Sequence, residues 1–176
     1  MKNLLALISI LSMVITSPGQ EGGREQMLKD LNALVGNWNV QVEARLSLQG
    51  PWDTSVATSV IRKTVSASIL EEDVTGLRQN KPFTTKCLFA INNQTLKYQR
   101  IFVDSEHGTL VDFDGNKSGK DFIFDKEWTY ANQSKVKLRV VYKLISPDEF
   151  IVENMRMPDG SSSWDVTGRM KYRRIK

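Results

Sequence analysis

Between residues 38 and 48 every even position is apolar (Trp38, Val40, Val42, Ala44, Leu46, Leu48), and every odd position is polar or charged. Successive side chains of a strand point to opposite faces, so this stretch reads as one long strand with a dry face and a wet face. Residues 135–145 repeat the pattern, with Val136, Leu138, Val140, Tyr142 and Leu144 on one side. Further runs rich in β-branched and aromatic residues cover 54–65, 69–76, 83–91, 96–103, 109–113, 121–124, 150–157 and 164–175. Between them lie turn signals such as Gly50-Pro51-Trp52-Asp53, Asn92-Asn93, Asp114-Gly115-Asn116, Ser118-Gly119, Ser146-Pro147-Asp148 and Pro158-Asp159-Gly160. No repeat of fixed period and no interdomain linker interrupts the series.

About ten short strands joined in sequence by tight turns make an antiparallel meander. Such a meander removes both exposed edges, and gives its apolar faces a common interior, by curling until its first and last strands pair. A two-sheet sandwich is the competing arrangement, but Greek-key crossovers need longer connections than these hairpin-sized turns. The expected fold is therefore all-β: an antiparallel up-and-down β-barrel of about ten strands with one short N-terminal helix. That helix covers 25–34, with Met27, Leu28, Leu31 and Leu34 at helical spacing and Gly36 beyond its end. It is too short to hold itself together in water and must lie on something apolar.

The N-terminus carries an address. Lys2 precedes a continuous apolar core over residues 4–15, too short to span a bilayer, and then Thr16-Ser17-Pro18-Gly19. That order describes a secretory signal, cleaved after Gly19. The expected organisation is a signal peptide over 1–19, a leader and short amphipathic helix over 20–35, and a single β-barrel domain over 36–176. The mature chain would be periplasmic or extracellular and free of a membrane-spanning helix. Removing Lys2 from a formal net charge of +4 leaves a mild balance, without the concentrated basic surface that nucleic-acid binding requires. Cys87 is the only cysteine, so an exported chain of this kind stands on its hydrophobic core rather than on an internal disulfide. It sits in the run Cys87-Leu88-Phe89-Ala90-Ile91 and reads as a buried, inert thiol.

The short helix followed by Gly36-Asn37-Trp38 at the start of the first strand resembles the calycin pattern of lipocalins and fatty-acid-binding-like proteins. The resemblance implies that Gly36 and Trp38 close one barrel end and that a last-strand arginine packs across the indole. Arg174 shares parity with Trp164, Val166, Met170 and Tyr172 and is the better match; Arg173 shares its face with Asp165, Arg169 and Lys171. LVGNW, the GLRQNKPF loop, the Asp-Gly turns and the terminal YRR also resemble a family of exported bacterial lipocalin-like domains of unknown function. Animal-type lipocalins often carry disulfides and a C-terminal helix, and neither is present here.

Catalytic and metal signatures are lacking. His107, the only histidine, lies in the polar tip Asp104-Ser105-Glu106-His107-Gly108, with no Cys/His cluster to make a zinc site and no histidine near the last strand for haem. Gly115-Asn116-Lys117-Ser118-Gly119-Lys120 is one residue short of a phosphate loop and reads as a hairpin turn. No metal and no cofactor is expected.

The informative charges lie where alternation fails. Glu71-Glu72-Asp73 are adjacent, so at least one faces the interior of a closed barrel. Arg100 has the parity of Tyr98 and Phe102, and Arg156 that of Phe150 and Val152. A buried charge is costly unless it is paired or faces a wet cavity. The candidate site is therefore Glu72, Arg100 and Arg156 for a ligand's polar end and Tyr98, Phe102, Phe150, Trp164 and Tyr172 for its apolar body; a rim ladder of surface charges is the competing reading. The expected function is non-catalytic binding of a small apolar or amphipathic molecule by a monomer or weak homodimer. The alternatives are an isomerase- or hydrolase-type enzyme using carboxylates such as Glu72 or Glu153, and an envelope interaction protein using its outer face.

Overall fold

Alternation along the first strand is what closes the molecule. In the computed structural model, which describes residues 18–45, 47–64, 68–78, 81–104 and 108–176, Trp38 and Val40 are buried while Asn37, Asn39 and Gln41 are exposed. A helix, α1 (Pro18–Asn32), precedes ten strands. These are β1 (Gly36–Ala44), β2 (Asp53–Lys63), β3 (Leu70–Arg78), β4 (Lys81–Asn92), β5 (Lys97–Asp104), β6 (Thr109–Ser118), β7 (Asp121–Thr129), β8 (Lys135–Ser146), β9 (Glu149–Pro158) and β10 (Asp165–Arg174). Each strand pairs antiparallel with the next, and β1 pairs with β10 to shut the sheet into a barrel. Leu46, His107 and residues 1–17 of the signal expected over 1–19 lie outside the described residues, as do Gln79 and Asn80 of the GLRQNKPF loop.

Three local expectations are corrected. α1 begins at Pro18 rather than at Glu25, so the whole of the leader expected over 20–24 is helical. Proline is preorganised for a first helical turn, and the poor propensity of Gly22-Gly23 hides the continuation from a sequence reading. β1 ends at Ala44, because Arg45 turns its guanidinium onto Val166 O (2.9 and 2.6 Å) and Leu48 O (2.6 Å). β6 runs straight through Asp114-Gly115-Asn116, and the turn comes later, at Gly119 with φ +60°. Gly115 is there for close approach: a Cβ on it would lie 2.5 Å from Phe124 Cδ1, on a ring that is itself buried. Gly115→Ala is therefore expected to cost about 1–3 kcal/mol by overpacking, read as a lower urea midpoint with unchanged slope.

Side-chain size divides the interior into two halves. At the end that holds the β2–β3, β4–β5, β6–β7 and β8–β9 turns, the inward residues are large. Trp38, Phe89, Tyr98, Phe122, Phe124, Tyr142, Phe150 and Tyr172 fill the space there, and α1 lies across it with Leu31 and Leu34 buried. Phe150 is the hub, edge-on to Trp38 (4.7 Å) and stacked on Tyr172 (4.2 Å). The helix is tied down by polar contacts as well. Asp30 accepts from Tyr98 Oη (3.1 Å) and pairs with Lys117 (2.7 Å), and Arg24 donates to Asn93 (2.9 Å). Toward the opposite end Phe83, Phe102 and Phe113 line the wall together with smaller or more flexible inward residues such as Val42, Val74, Val111, Val140 and Met170, and these leave space between them. That half is hollow.

The outer wall carries the charges that alternation assigns to it. Glu71 and Asp73 meet Arg62 and Lys86 across β2, β3 and β4, with Arg62–Asp73 at 2.6 Å and Lys86–Asp73 at 2.8 Å. Between β6 and β7 the ladder is short, running only from the Asp114–Asp125 pair to the Ser118–Asp121 pair. Lys126 spans the unpaired stretch to Asp112 at 2.7 Å.

Candidate functional site

The hollow half is a cavity of about 470 Å³ opening at the end that holds the β1–β2, β3–β4, β5–β6, β7–β8 and β9–β10 turns. Val42, Val74, Phe102, Val111, Phe113, Val140 and Met170 supply its apolar wall. Its inner end is polar, and that polarity comes from strand positions where a charged or hydroxyl residue stands on the apolar face: Ser59 on β2, Glu72 on β3, Arg100 on β5.

Glu72 is fully enclosed, 1% exposed, and its Oε1 accepts hydrogen bonds from Ser59 Oγ (2.9 Å) and Tyr172 Oη (2.9 Å). Burial pushes its carboxyl above the usual glutamate range, against the opposing pull of those two hydroxyls, the Arg100 charge and the Cys87 thiol. Arg100 is 4% exposed; its Nε donates to Tyr142 Oη (3.1 Å) and its Nη2 to Cys87 Sγ (3.2 Å). Its guanidinium also lies 5.2 Å from the Phe102 ring centre and 5.4 Å from that of Phe113. Burial pushes the Cys87 thiol up to about 12 and raises the phenols of Tyr142 and Tyr172, so none of the three ionises near neutrality. Cys87 is a free, buried thiol, without the depressed pKa a reactive one needs. Arg156, nearer the mouth, has a buried Nε without a hydrogen-bond partner.

The structure brings together five of the eight candidate residues, Glu72, Arg100, Phe102, Arg156 and Tyr172, on the cavity wall. Phe150 lies just beneath, in the aromatic packing under Tyr172. Tyr98 faces the helix and spends its hydroxyl on Asp30. Trp164 is outside the barrel, with the Arg139 guanidinium 4.4 Å above its ring. A register shift between Val166 and Gly168 reverses the parity of the last strand, so the alternation that links Trp164 to Tyr172 in the sequence breaks at Thr167. Sequence reasoning missed Ser59, Tyr142, Cys87 and Met170 as site residues. Ser59 had a signal, being the one hydroxyl between Ala57 and Ile61 on the apolar face of β2.

Gly36, Trp38 and Arg174 meet at the opposite, closed end. Arg174 lies over the Trp38 ring at 4.1 Å, donates to Val35 O (2.8 Å) and Pro147 O (2.9 Å), and stands where a Cβ on residue 36 would go. Glu72 and Glu153 do not converge. Glu153 is on the outer wall, bonded to Lys143 (2.6 Å) and Arg169 (3.2 Å). Among the described residues no group of His, Cys, Asp and Glu is placed to hold a metal ion, and no helix is long and apolar enough to cross a membrane.

Solved structures resemble the fold. The S-type phycobiliprotein lyase CPES from Guillardia theta aligns over 92% of this chain and 99% of its own, with a TM-score of 0.56 and 9% identity. A redesigned β-barrel aligns over 82% of this chain and 94% of its own, with a TM-score of 0.43 and 15% identity. A de novo designed fluorescence-activating β-barrel aligns over 82% and 95%, with a TM-score of 0.45 and 10% identity. At these identities the likeness to the lyase shows a shared barrel architecture and nothing further. No curated protein matches the chain. Residues 24–174, from α1 to the closing Arg174, match the family described as protein of unknown function (DUF1579), and the chain belongs to that family.

Proposed function

We propose that this protein is an exported, lipocalin-like barrel that takes a small, partly apolar molecule into its open half and holds it without transforming it. One observation carries the reading: a cavity of about 470 Å³, apolar along its walls and polar at its inner end, within the size range of small-molecule sites. A barrel packed throughout with side chains would have no such space, and here the aromatic packing stops at Phe150 and Tyr172. A reaction run by paired carboxylates has less support, since Glu72 stands inside the wall and Glu153 outside it. Export rests on the sequence alone, on Lys2 and the apolar run after it. The intact mass of protein recovered from the producing cell, expected to begin at Gln20, tests that part.

The binding reading is tested with a neutral fluorescent probe, N-phenyl-1-naphthylamine, on protein unfolded, dialysed and refolded to release anything carried through purification. One-to-one binding is expected. Met170→Trp, which pushes an indole into the cavity, is expected to abolish it while the fold is retained. A probe that fails to bind, or that binds this variant equally well, would overturn the reading.

A further inference from the structure

The cavity has an unbalanced charge. Among the described residues, Arg45, Arg100, Arg139 and Arg156 line it, against a single carboxyl, Glu72. Two of these arginines are accounted for elsewhere: Arg45 by the Val166 and Leu48 carbonyls, Arg139 by Asp125 at 2.7 Å. Arg100 and Arg156 are not. The acceptors of Arg100, a phenol and a thiol, are neutral, and they occupy two of its five N–H groups. Arg156 leaves its buried Nε without any acceptor. Neither joins an ion pair among the described residues, whereas Arg62, Lys86, Lys126 and Arg169 on the outer wall each face a carboxylate.

We propose that the ligand is an amphiphilic anion, its one acidic group (a carboxylate, sulfate or phosphate ester) seated on the free edge of Arg100 and its chain lying among Phe102, Val111, Val140 and Met170 toward Arg156 at the mouth. The proposal rests on the binding reading above and names its ligand class. The physical reason is counter-charge. A guanidinium held away from water beside aromatic rings is unfavourable until an anion joins it, and its planar fork matches two oxygens of an acid group. A neutral ligand of the same shape would leave the charge unpaired, and a cationic one would add to it. The low polarity of the walls strengthens the attraction over what it is in water.

Glu72 is the built-in competitor for that charge. It is faced by Ser59 from β2, Cys87 from β4, Arg100 from β5 and Tyr172 from β10, its charge reaches Tyr142 on β8, and Arg100 is the only cation in that set. When Glu72 is protonated, Arg100 is left for the ligand. When it ionises, ligand and side chain compete for one guanidinium, so anion affinity falls as pH rises.

The test is calorimetric titration of refolded protein, below micelle concentrations, with decanoate, decyl sulfate, decyl phosphate, 1-decanol, decyltrimethylammonium and inorganic phosphate. At least one of the three anions is expected to bind about 30-fold or more tightly than decanol, a margin in the range of a charge-assisted bond. Decyltrimethylammonium is expected not to bind. Inorganic phosphate is expected to bind far more weakly than decyl phosphate. Glu72→Gln should flatten the pH dependence of anion affinity, and Arg100→Met should erase the preference for anions while decanol still binds. Should Arg100→Met fail to fold, the preference of the unmodified protein and the Glu72→Gln pH series decide alone. Decanol binding as tightly as every anion, or inorganic phosphate as tightly as decyl phosphate, would overturn this proposal and leave the binding reading standing. Failure of the neutral naphthylamine probe removes both.

Discussion

Trp38→Ala is expected to destabilise the barrel by about 3–5 kcal/mol, more than any other single truncation at its closed end. The indole is 1% exposed, with no room for neighbours to collapse into the space it would leave. On one side it meets Phe150 edge-on at 4.7 Å; on another the Arg174 guanidinium covers it at 4.1 Å; and its Nε1 donates to Leu34 O at 3.0 Å. Those contacts tie together the helix end, β1, β9 and β10, the elements that must meet for the meander to close. A cation–π contact of this kind contributes about 0.5–2 kcal/mol, and the hydrogen bond to Leu34 about 0.5–1.5. Trp38→Phe keeps the ring against Phe150 but loses the N–H, so it should fall about 1–2 kcal/mol below the unmodified protein. Urea denaturation followed by near-ultraviolet circular dichroism reads both. A loss under about 1 kcal/mol for Trp38→Ala would mean that the indole is not what closes the barrel.

The strand count and closure were legible because period-two alternation is a local signal, and here one face of nearly every strand is apolar. The position of Glu72 was legible for the same reason. Three adjacent acids cannot all face water on a strand, and its neighbours Glu71 and Asp73 took the outer wall and its cations. What the sequence hid were events that alternation does not encode. A single extra residue near Thr167 reverses parity and carries Trp164 outside. A helix docked across one end takes Tyr98 out of contention through Asp30. Gly115, read as a turn, is a strand glycine that makes room for Phe124. The cavity itself depends on where along each strand the large side chains fall. Phe150 and Tyr172 toward one end against Val42 and Met170 toward the other is a comparison that needs the register of β1, β9 and β10.

Glu72 is where stability and binding meet, and two substitutions bracket its role. Glutamine keeps the shape and still accepts from Ser59 and Tyr172, but cannot ionise. The sign of its effect follows from the direction of the shift. Burial raises the folded-state pKa above the 4.5 of a solvated glutamate, so the native protein holds a proton that the unfolded chain releases. That contribution is fully present below about pH 4.5 and is lost as pH rises through the folded-state value. The carboxyls of Asp30, Asp73, Asp112, Glu149 and Glu153 are shifted the other way and favour the native state as pH rises. They are common to both proteins and cancel in the difference. The stability of Glu72→Gln minus that of the unmodified protein should therefore be smallest at and below about pH 4.5, increase as pH rises above it, and level off once pH passes the folded-state value; a flat or falling difference would show that folding does not raise the pKa of Glu72. Glu72→Lys is the severe case. It places a second cation beside Arg100, on the floor of a site from which it removes the one carboxyl found among the described lining residues, and it leaves Ser59 and Tyr172 with no acceptor at that position. A loss of about 3–5 kcal/mol at neutral pH is expected, the size found when a charge is left buried without a partner. A saturating decyl anion should recover part of it, because the anion supplies the missing counter-charge and binds only the folded barrel. Decanol should recover much less, and equal rescue by the two would show that the inner end of the cavity does not distinguish charge.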